Sequence, residues 1–272
     1  MLKPRLIPVL LFKNGVLVRS QHFDLFQSTG DPIGQVERFT EWKADELIYL
    51  DISRDDIYNS QRTMQNIGST TSGKNTGAAA SHNFIEVIQA VAKKCFVPLT
   101  VGGKIRTIDD IQVRLKSGAD KVSINSAALE NPAFITEAAR VFGSQCIVVS
   151  IDVRKSADGW EVYSHNGGRA TGRHAVAWAV EAAQRGAGEI LLGSIDRDGA
   201  GDGYDIGLVN AVTHAVSVPV IALGGVGTFE HFVEGLHAGA SAVAAANIFH
   251  FTEQSIINAK RYLQQSGVVV RL

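Results

Sequence analysis

Short apolar runs alternate with longer amphipathic stretches from one end of this chain to the other. The runs at 5–11, 46–52, 97–102, 120–125, 146–152, 188–193, 218–223 and 241–246 are bounded by Gly, Asp, Ser or Asn and read as strands. The stretches between them, near 32–44, 83–94, 107–117, 131–142, 173–185, 205–215, 228–238 and 253–265, carry apolar residues at helical spacing. Polar or acidic residues stand at several predicted helix starts, as in Asp31-Pro32 and Thr107-Ile108-Asp109-Asp110. Strand and helix in strict alternation predict a parallel sheet covered by helices, and eight such units predict an α/β (βα)₈ TIM barrel.

The pattern also repeats. VPLTVGGKIRTIDDIQVRLKSGADKVSINSAA from Val97 echoes VPVIALGGVGTFEHFVEGLHAGASAVAAANIF from Val218, an offset of 218 − 97 = 121 residues. ADELIYLDI from Ala44 echoes AGEILLGSI from Ala187, an offset of 187 − 44 = 143. Two half-barrels are implied, the first carrying 143 − 121 = 22 extra residues between its second and third strands. The stretch 57–82, rich in Ser, Thr, Asn and Gly, supplies them. It reads as an inserted loop after strand two, either a tolerated surface insertion or a substrate-contacting lid. The whole of 1–272 is expected to form one barrel domain.

A length of 272 residues suits this fold, and 45% hydrophobic residues with 27 glycines suit a barrel with short loops. The net charge of −1 supplies no basic field for nucleic acid or an anionic membrane. The apolar run Leu6 to Phe12 is too short to span a bilayer and reads as a buried first strand. Cys95 and Cys146 lie far apart without metal-ligand spacing. Neither a disulfide nor a metal site is expected, and a cytoplasmic location is.

Candidate chemistry gathers behind the strands. Gly102-Gly103 follows strand three and Gly224-Gly225 follows strand seven, where glycine lets backbone N–H groups approach an anion at a helix start. Each pair is matched one strand later, by Asn125-Ser126 and by Ala246-Asn247, and Asp198-Gly199 adds a polar turn after strand six. A tight βα turn alone also uses glycine. Two pairs at repeat-related positions favour two phosphate sites across one mouth and a ligand phosphorylated at both ends. Lys104 follows the first pair where Val226 follows the second, either adding a charge to that site or narrowing it. Asp152, a carboxylate closing an apolar strand in VVSID, is poorly explained by packing and reads as catalytic.

With RLIPVLLFKNG, ADELIYLDI, PLTVGGKIR, GADKVSINSAA, FGSQCIVVSID, GAGEILLGSIDRDGAGDGYD, GGVGTFEHF and VVVRL, the chain resembles the cyclase subunit of imidazole glycerol phosphate synthase outside the insertion. The resemblance implies a barrel that takes ammonia from a separate glutaminase at its N-terminal face. It joins that ammonia to a ribulosyl bisphosphate-type substrate in histidine biosynthesis, without a cofactor. It also implies two catalytic aspartates. One matches Asp152, while the other position, at the end of strand one, holds Leu11. Further departures are Lys104 for a glycine, Arg19 for a lysine, Gly193 for a threonine and Asn247 for a serine. At the barrel floor the resemblance implies an ammonia gate of Arg5, Glu46, Lys121 and Glu189, all matching. Four such charges would also suit a neutral cap of the floor, although buried ion pairs stabilise weakly.

An intact floor under an altered mouth points to a paralogous branch. In that branch the barrel and its glutaminase supply ammonia to a separate sugar amidotransferase acting on surface polysaccharides. Histidine-pathway synthesis by a repaired site is the alternative. An isomerase of the neighbouring step is disfavoured, since it too uses an aspartate at the end of strand one.

Overall fold

The computed structural model describes residues 3–30, 33–53, 84–250 and 255–271, so the 57–82 insertion and the Asp31-Pro32 cap lie outside it. Strand β1 (Arg5–Lys13) turns directly into a hairpin of β2 (Val16–Gln21) and β3 (Leu25–Gly30), and α1 (Gly34–Glu41) and β4 (Leu47–Asp51) follow. Next come α2 (Phe84–Ala92), β5 (Leu99–Gly102), α3 (Ile108–Lys116) and β6 (Lys121–Ile124). After α4 (Ser126–Glu130) and α5 (Ala133–Phe142), β7 (Ile147–Ser156) opens the second half with its own hairpin, β8 (Gly159–Ser164) and β9 (Arg169–His174). The chain closes with α6 (Ala175–Gln184), β10 (Glu189–Ser194), α7 (Ile206–Ala215), β11 (Val220–Leu223), α8 (Glu230–His237), β12 (Ala242–Ala245) and α9 (Ile256–Gln265).

Parallel pairing runs β1–β4–β5–β6–β7–β10–β11–β12 and back to β1, which closes the expected (βα)₈ barrel. The pleat splits each strand between two cores. Ile7, Val9, Leu11, Ile48, Val148, Leu191, Ile221, Ala242 and Ala244 fill the lumen. Outward residues meet the helices, with Trp178, Phe39, Phe232 and Phe249 almost wholly enclosed. Burying each such side chain stabilises the fold by roughly 1.5–3 kcal/mol.

Local chemistry explains the element ends. Thr107 caps α3 reciprocally with Asp110, as the sequence suggests. The predicted 131–142 helix is preceded by the separate turn of α4. Asn131 is held extended (φ −136°) ahead of Pro132, so the two helices cannot fuse. The predicted strand at 97–102 begins only at Leu99, because Pro98 has no N–H to give the ladder. Near the floor, the Lys260 ammonium donates to Asp45 Oδ1 (2.8 Å) and to the Lys43 carbonyl (2.6 Å). Asp45 Oδ2 accepts from the Leu6 N–H (2.8 Å), so the last helix is tied to the first two barrel strands.

The two hairpins were not expected from the periodicity. Each extends a barrel strand beyond the mouth, β1 in the first half and β7 in the second. The turn Asn14-Gly15, with φ of +47° and +93°, is the sequence signal that finds the first.

Candidate active site at the barrel mouth

Asp152 faces inward near the top of β7, beside Gly193 of β10 and Tyr163 of β8. Its Oδ2 accepts from Asn125 Nδ2 (2.7 Å), and the Ser150 hydroxyl lies 3.5 Å from Oδ1. Burial pushes its pKa up to about 7, the two hydrogen bonds oppose that rise, and the negative charge of Asp198 adds to it. Asn125, expected beside a phosphate, is thus turned toward the Asp152 carboxyl. Leu11, paired with Val18 and Leu50, stands on the same cavity wall and offers no proton.

Two cavities open at the mouth. The larger, about 520 Å³, is lined by Leu11, Asp152, Asp51, Lys104, Asn125 and Ser126 among others. The smaller, about 440 Å³, brings together Asp198, Gly199, Gly224, Gly225, Ala246 and Asn247, the whole second-half set, with Arg19 on its wall. The first-half set is only partly united. Gly103, Lys104, Asn125 and Ser126 line the larger cavity, whereas Gly102 does not.

The reason is register. The 121-residue offset matches Gly103 with Gly224 and Lys104 with Gly225, not Gly102 with Gly224. Backbone angles agree, with φ of +101° and +103° for the first match and +54° and +99° for the second. Gly102 is an inward strand residue matching Leu223, and a Cβ there would stand 2.7 Å from Leu50 Cδ2, so packing requires it. Lys104 therefore occupies a left-handed position filled by glycine in the other half, and its ammonium lies 3.9 Å from Asp51 Oδ2. The buried Arg114 of α3 braces this turn, donating to the carbonyls of Gly103 (2.9 Å) and Lys104 (3.3 Å). Sequence reading missed Arg114 because a helical arginine normally reads as solvated surface. A Cβ at Gly103 would stand 2.1 Å from the Asp51 carbonyl oxygen. Gly103→Ala is expected to destabilise the protein by about 2–3 kcal/mol, while Lys104→Gly stays within about 1 kcal/mol because strain relief offsets chain entropy. Urea unfolding of both variants measures the contrast.

The hairpin tips cross the mouth. His22-Phe23 and His165-Asn166 hold equivalent places, all four residues left-handed at φ of 53–58°. The first tip reaches into the second half, where the His22 N–H donates to the Asp198 carbonyl (2.9 Å) and the Phe23 N–H to Asp198 Oδ2 (3.3 Å). Ser20 Oγ donates to the same Oδ2 (2.6 Å), and Asn247 Nδ2 donates to the Ser20 carbonyl (2.8 Å). The second tip reaches back into the first half, where the His165 N–H donates to Ser126 Oγ (3.0 Å) and Asn166 Nδ2 to the Ile52 carbonyl (3.1 Å). Ser126 and Asn247, expected to contact phosphate, therefore spend side-chain atoms on holding the opposite half's hairpin.

At the floor, the four predicted charges meet in a closed alternating ring. Arg5 Nη1 donates to Glu46 (2.6 Å) and Glu189 (3.0 Å), and Lys121 Nζ donates to Glu189 (2.9 Å) and Glu46 (3.3 Å). Burial disfavours the Arg5 charge, but Glu189 and Glu46 outweigh it and hold its pKa above the usual value.

Among the described residues no cluster of three His, Cys, Asp or Glu is placed to hold a metal, and both cysteines are free thiols. No helix among them is long and apolar enough to cross a membrane.

The model of the histidine biosynthesis protein family matches residues 75–255. The imidazole glycerol phosphate synthase subunit HisF of Gluconacetobacter diazotrophicus is 45% identical over 272 residues, covering all of this chain and 97% of that protein. A closed (βα)₈ barrel with inward Asp152 above a ring of Arg5, Glu46, Lys121 and Glu189, matched end to end by such a relative, belongs to the HisF family of histidine biosynthesis proteins.

Proposed function

We propose that the chain is the ammonia-accepting barrel of a two-subunit glutamine amidotransferase. A HisH-like glutaminase docks on the N-terminal face, ammonia passes the floor ring, and it reaches a phosphorylated ligand bound in the mouth beside Asp152. The observation carrying this reading is vertical alignment. The charged ring and the titrating carboxyl lie at opposite ends of one lumen, with Thr100, Ser123 and Ser150 facing inward between them. Phosphates are held by the Gly224-Gly225 loop at one end and by the Gly103-Lys104 turn at the other. Asp152 and the lumen act in the cell's cytoplasm without a cofactor.

Two outcomes share this machinery. End-to-end similarity to a HisF subunit supports synthesis of imidazole glycerol phosphate from a ribulosyl bisphosphate-type substrate. Leu11, an apolar side chain on the wall where the family's first aspartate is expected, supports delivery of ammonia to a separate sugar amidotransferase of surface-polysaccharide modification. Turnover of the ribulosyl substrate with ammonium chloride separates them. A rate like that of an ordinary cyclase selects the histidine reaction; no turnover, raised by Leu11→Asp, selects the sugar branch.

The ring is tested separately. Lys121→Ala is expected to leave the barrel folded by circular dichroism. It should also lower glutamine-driven turnover severalfold relative to ammonium-driven turnover in the complex with the glutaminase. Loss of the fold would make the ring a structural floor instead.

A further inference from the structure

We infer that Asp198, at the junction of the two mouth cavities, is a second catalytic carboxyl that works with Asp152 in adding ammonia to a ligand carbonyl. The inference rests on the ammonia-accepting reading above and supplies the partner that Leu11 does not. Asp198, Leu223 and Ala246 line both cavities, and Asp198 is the one ionisable group of the three. A ligand spanning the mouth must pass this carboxyl.

Its geometry suits proton transfer. Both hydrogen bonds to the carboxyl, from Ser20 Oγ and the Phe23 N–H, end on Oδ2. No donor among the described residues reaches Oδ1, and that oxygen is not among the enclosed atoms without a partner, so it faces cavity space. An ionised carboxylate there repels a phosphate, which argues against the phosphate-binding role expected from the sequence. The charged and titratable groups around it are His22 on the hairpin, Arg19 on the smaller cavity's wall and Asp152 across the mouth. Burial raises the Asp198 pKa, while the Ser20 and Phe23 hydrogen bonds and His22 oppose that rise. The Asp198 charge in turn raises Asp152. With Oδ1 open to the cavity, Asp198 is placed to act as the base, and Asp152, its pKa pushed up to about 7, as the acid, a division enzymes use when two carboxyls differ in environment.

The steps balance. The ammonia nitrogen bonds to the carbonyl carbon and the C=O π bond breaks. The oxygen takes the Asp152 proton, and the nitrogen gives one to Asp198. In the return step Asp198 protonates the hydroxyl, which leaves as water, and Asp152 takes a second proton from nitrogen. Ketone and ammonia become imine and water, and both carboxyls regain their starting states.

The test uses the full chain with ammonium chloride and the ribulosyl substrate. Asp198→Asn is expected to lower kcat by about 10²–10⁴-fold with little change in KM. Leu11→Asp in that background should restore at least part of the loss. Ser20→Ala, which removes a hairpin bond but keeps the carboxyl, should cost less than about tenfold. A rise in KM with kcat unchanged, or a Ser20→Ala loss equal to that of Asp198→Asn, overturns the inference and leaves the amidotransferase reading standing. If the unaltered chain turns over no ribulosyl substrate, the histidine branch of that reading fails, and carboxyl NMR titration still decides the pairing. The Asp152 midpoint should fall toward the ordinary carboxylate range in Asp198→Asn, and an unmoved midpoint refutes it.

Discussion

Asp152→Asn is expected to lower ammonium-driven turnover by about 10²–10⁴-fold, the range lost when one positioned acid or base is removed. The amide keeps the volume and can still pair with Asn125 once that side chain flips, so the barrel should stay folded and KM should change little. The same variant has a signature in stability. The folded-state pKa of Asp152 is pushed up to about 7 from the ordinary 3.8, so the folded protein binds this proton more tightly than the unfolded chain does. Its contribution is full below about pH 4 and fades as pH rises through about 7. Urea midpoints of the parent should decline across that window, and those of Asp152→Asn should decline less. Equal slopes would mean the carboxyl is better solvated than its surroundings imply.

The second large effect is structural. Lys260→Ala leaves Asp45 and the Lys43 carbonyl without their donor at a site where both ion-pair side chains are only 3% exposed. Removing one member of such a pair costs about 3–5 kcal/mol, because the remaining charge stays buried. For a domain of this size that corresponds to a drop in Tm of roughly 10 °C. Asp45 keeps the Leu6 N–H, so Lys260→Met with Asp45→Asn should recover most of the loss. A single variant as stable as the parent would show that water reaches the pair.

The barrel strands were legible because buried parallel strands are apolar on both faces and stand out as runs. The floor ring was legible only through family likeness, since Arg5, Glu46, Lys121 and Glu189 are scattered over four strands and converge only on closure. The hairpins escaped because β3 has no buried residue and β9 is mostly polar, leaving neither strand an apolar run to mark it. The glycine pairing slipped by one residue because a doubled glycine does not declare which member makes the turn. Gly102 serves packing inside the barrel, while Gly103 and Lys104 take the left-handed angles. Asn125 was placed correctly at the mouth, yet its partner depends on side-chain direction, which spacing does not encode.

The crossed hairpins bear on how the mouth opens. The His22 amide is bonded to Asp198 and the His165 amide to Ser126, so each half-barrel's tip is protected by the other half. Amide hydrogen exchange at these two positions therefore reports on separation between halves more than on fraying within one. If the halves breathe as units, the two amides will exchange at matched rates and slow together when a ligand bridges the cavities. A ligand seated at one end alone would slow one and leave the other, turning a pair of backbone protons into a readout of bivalent capture.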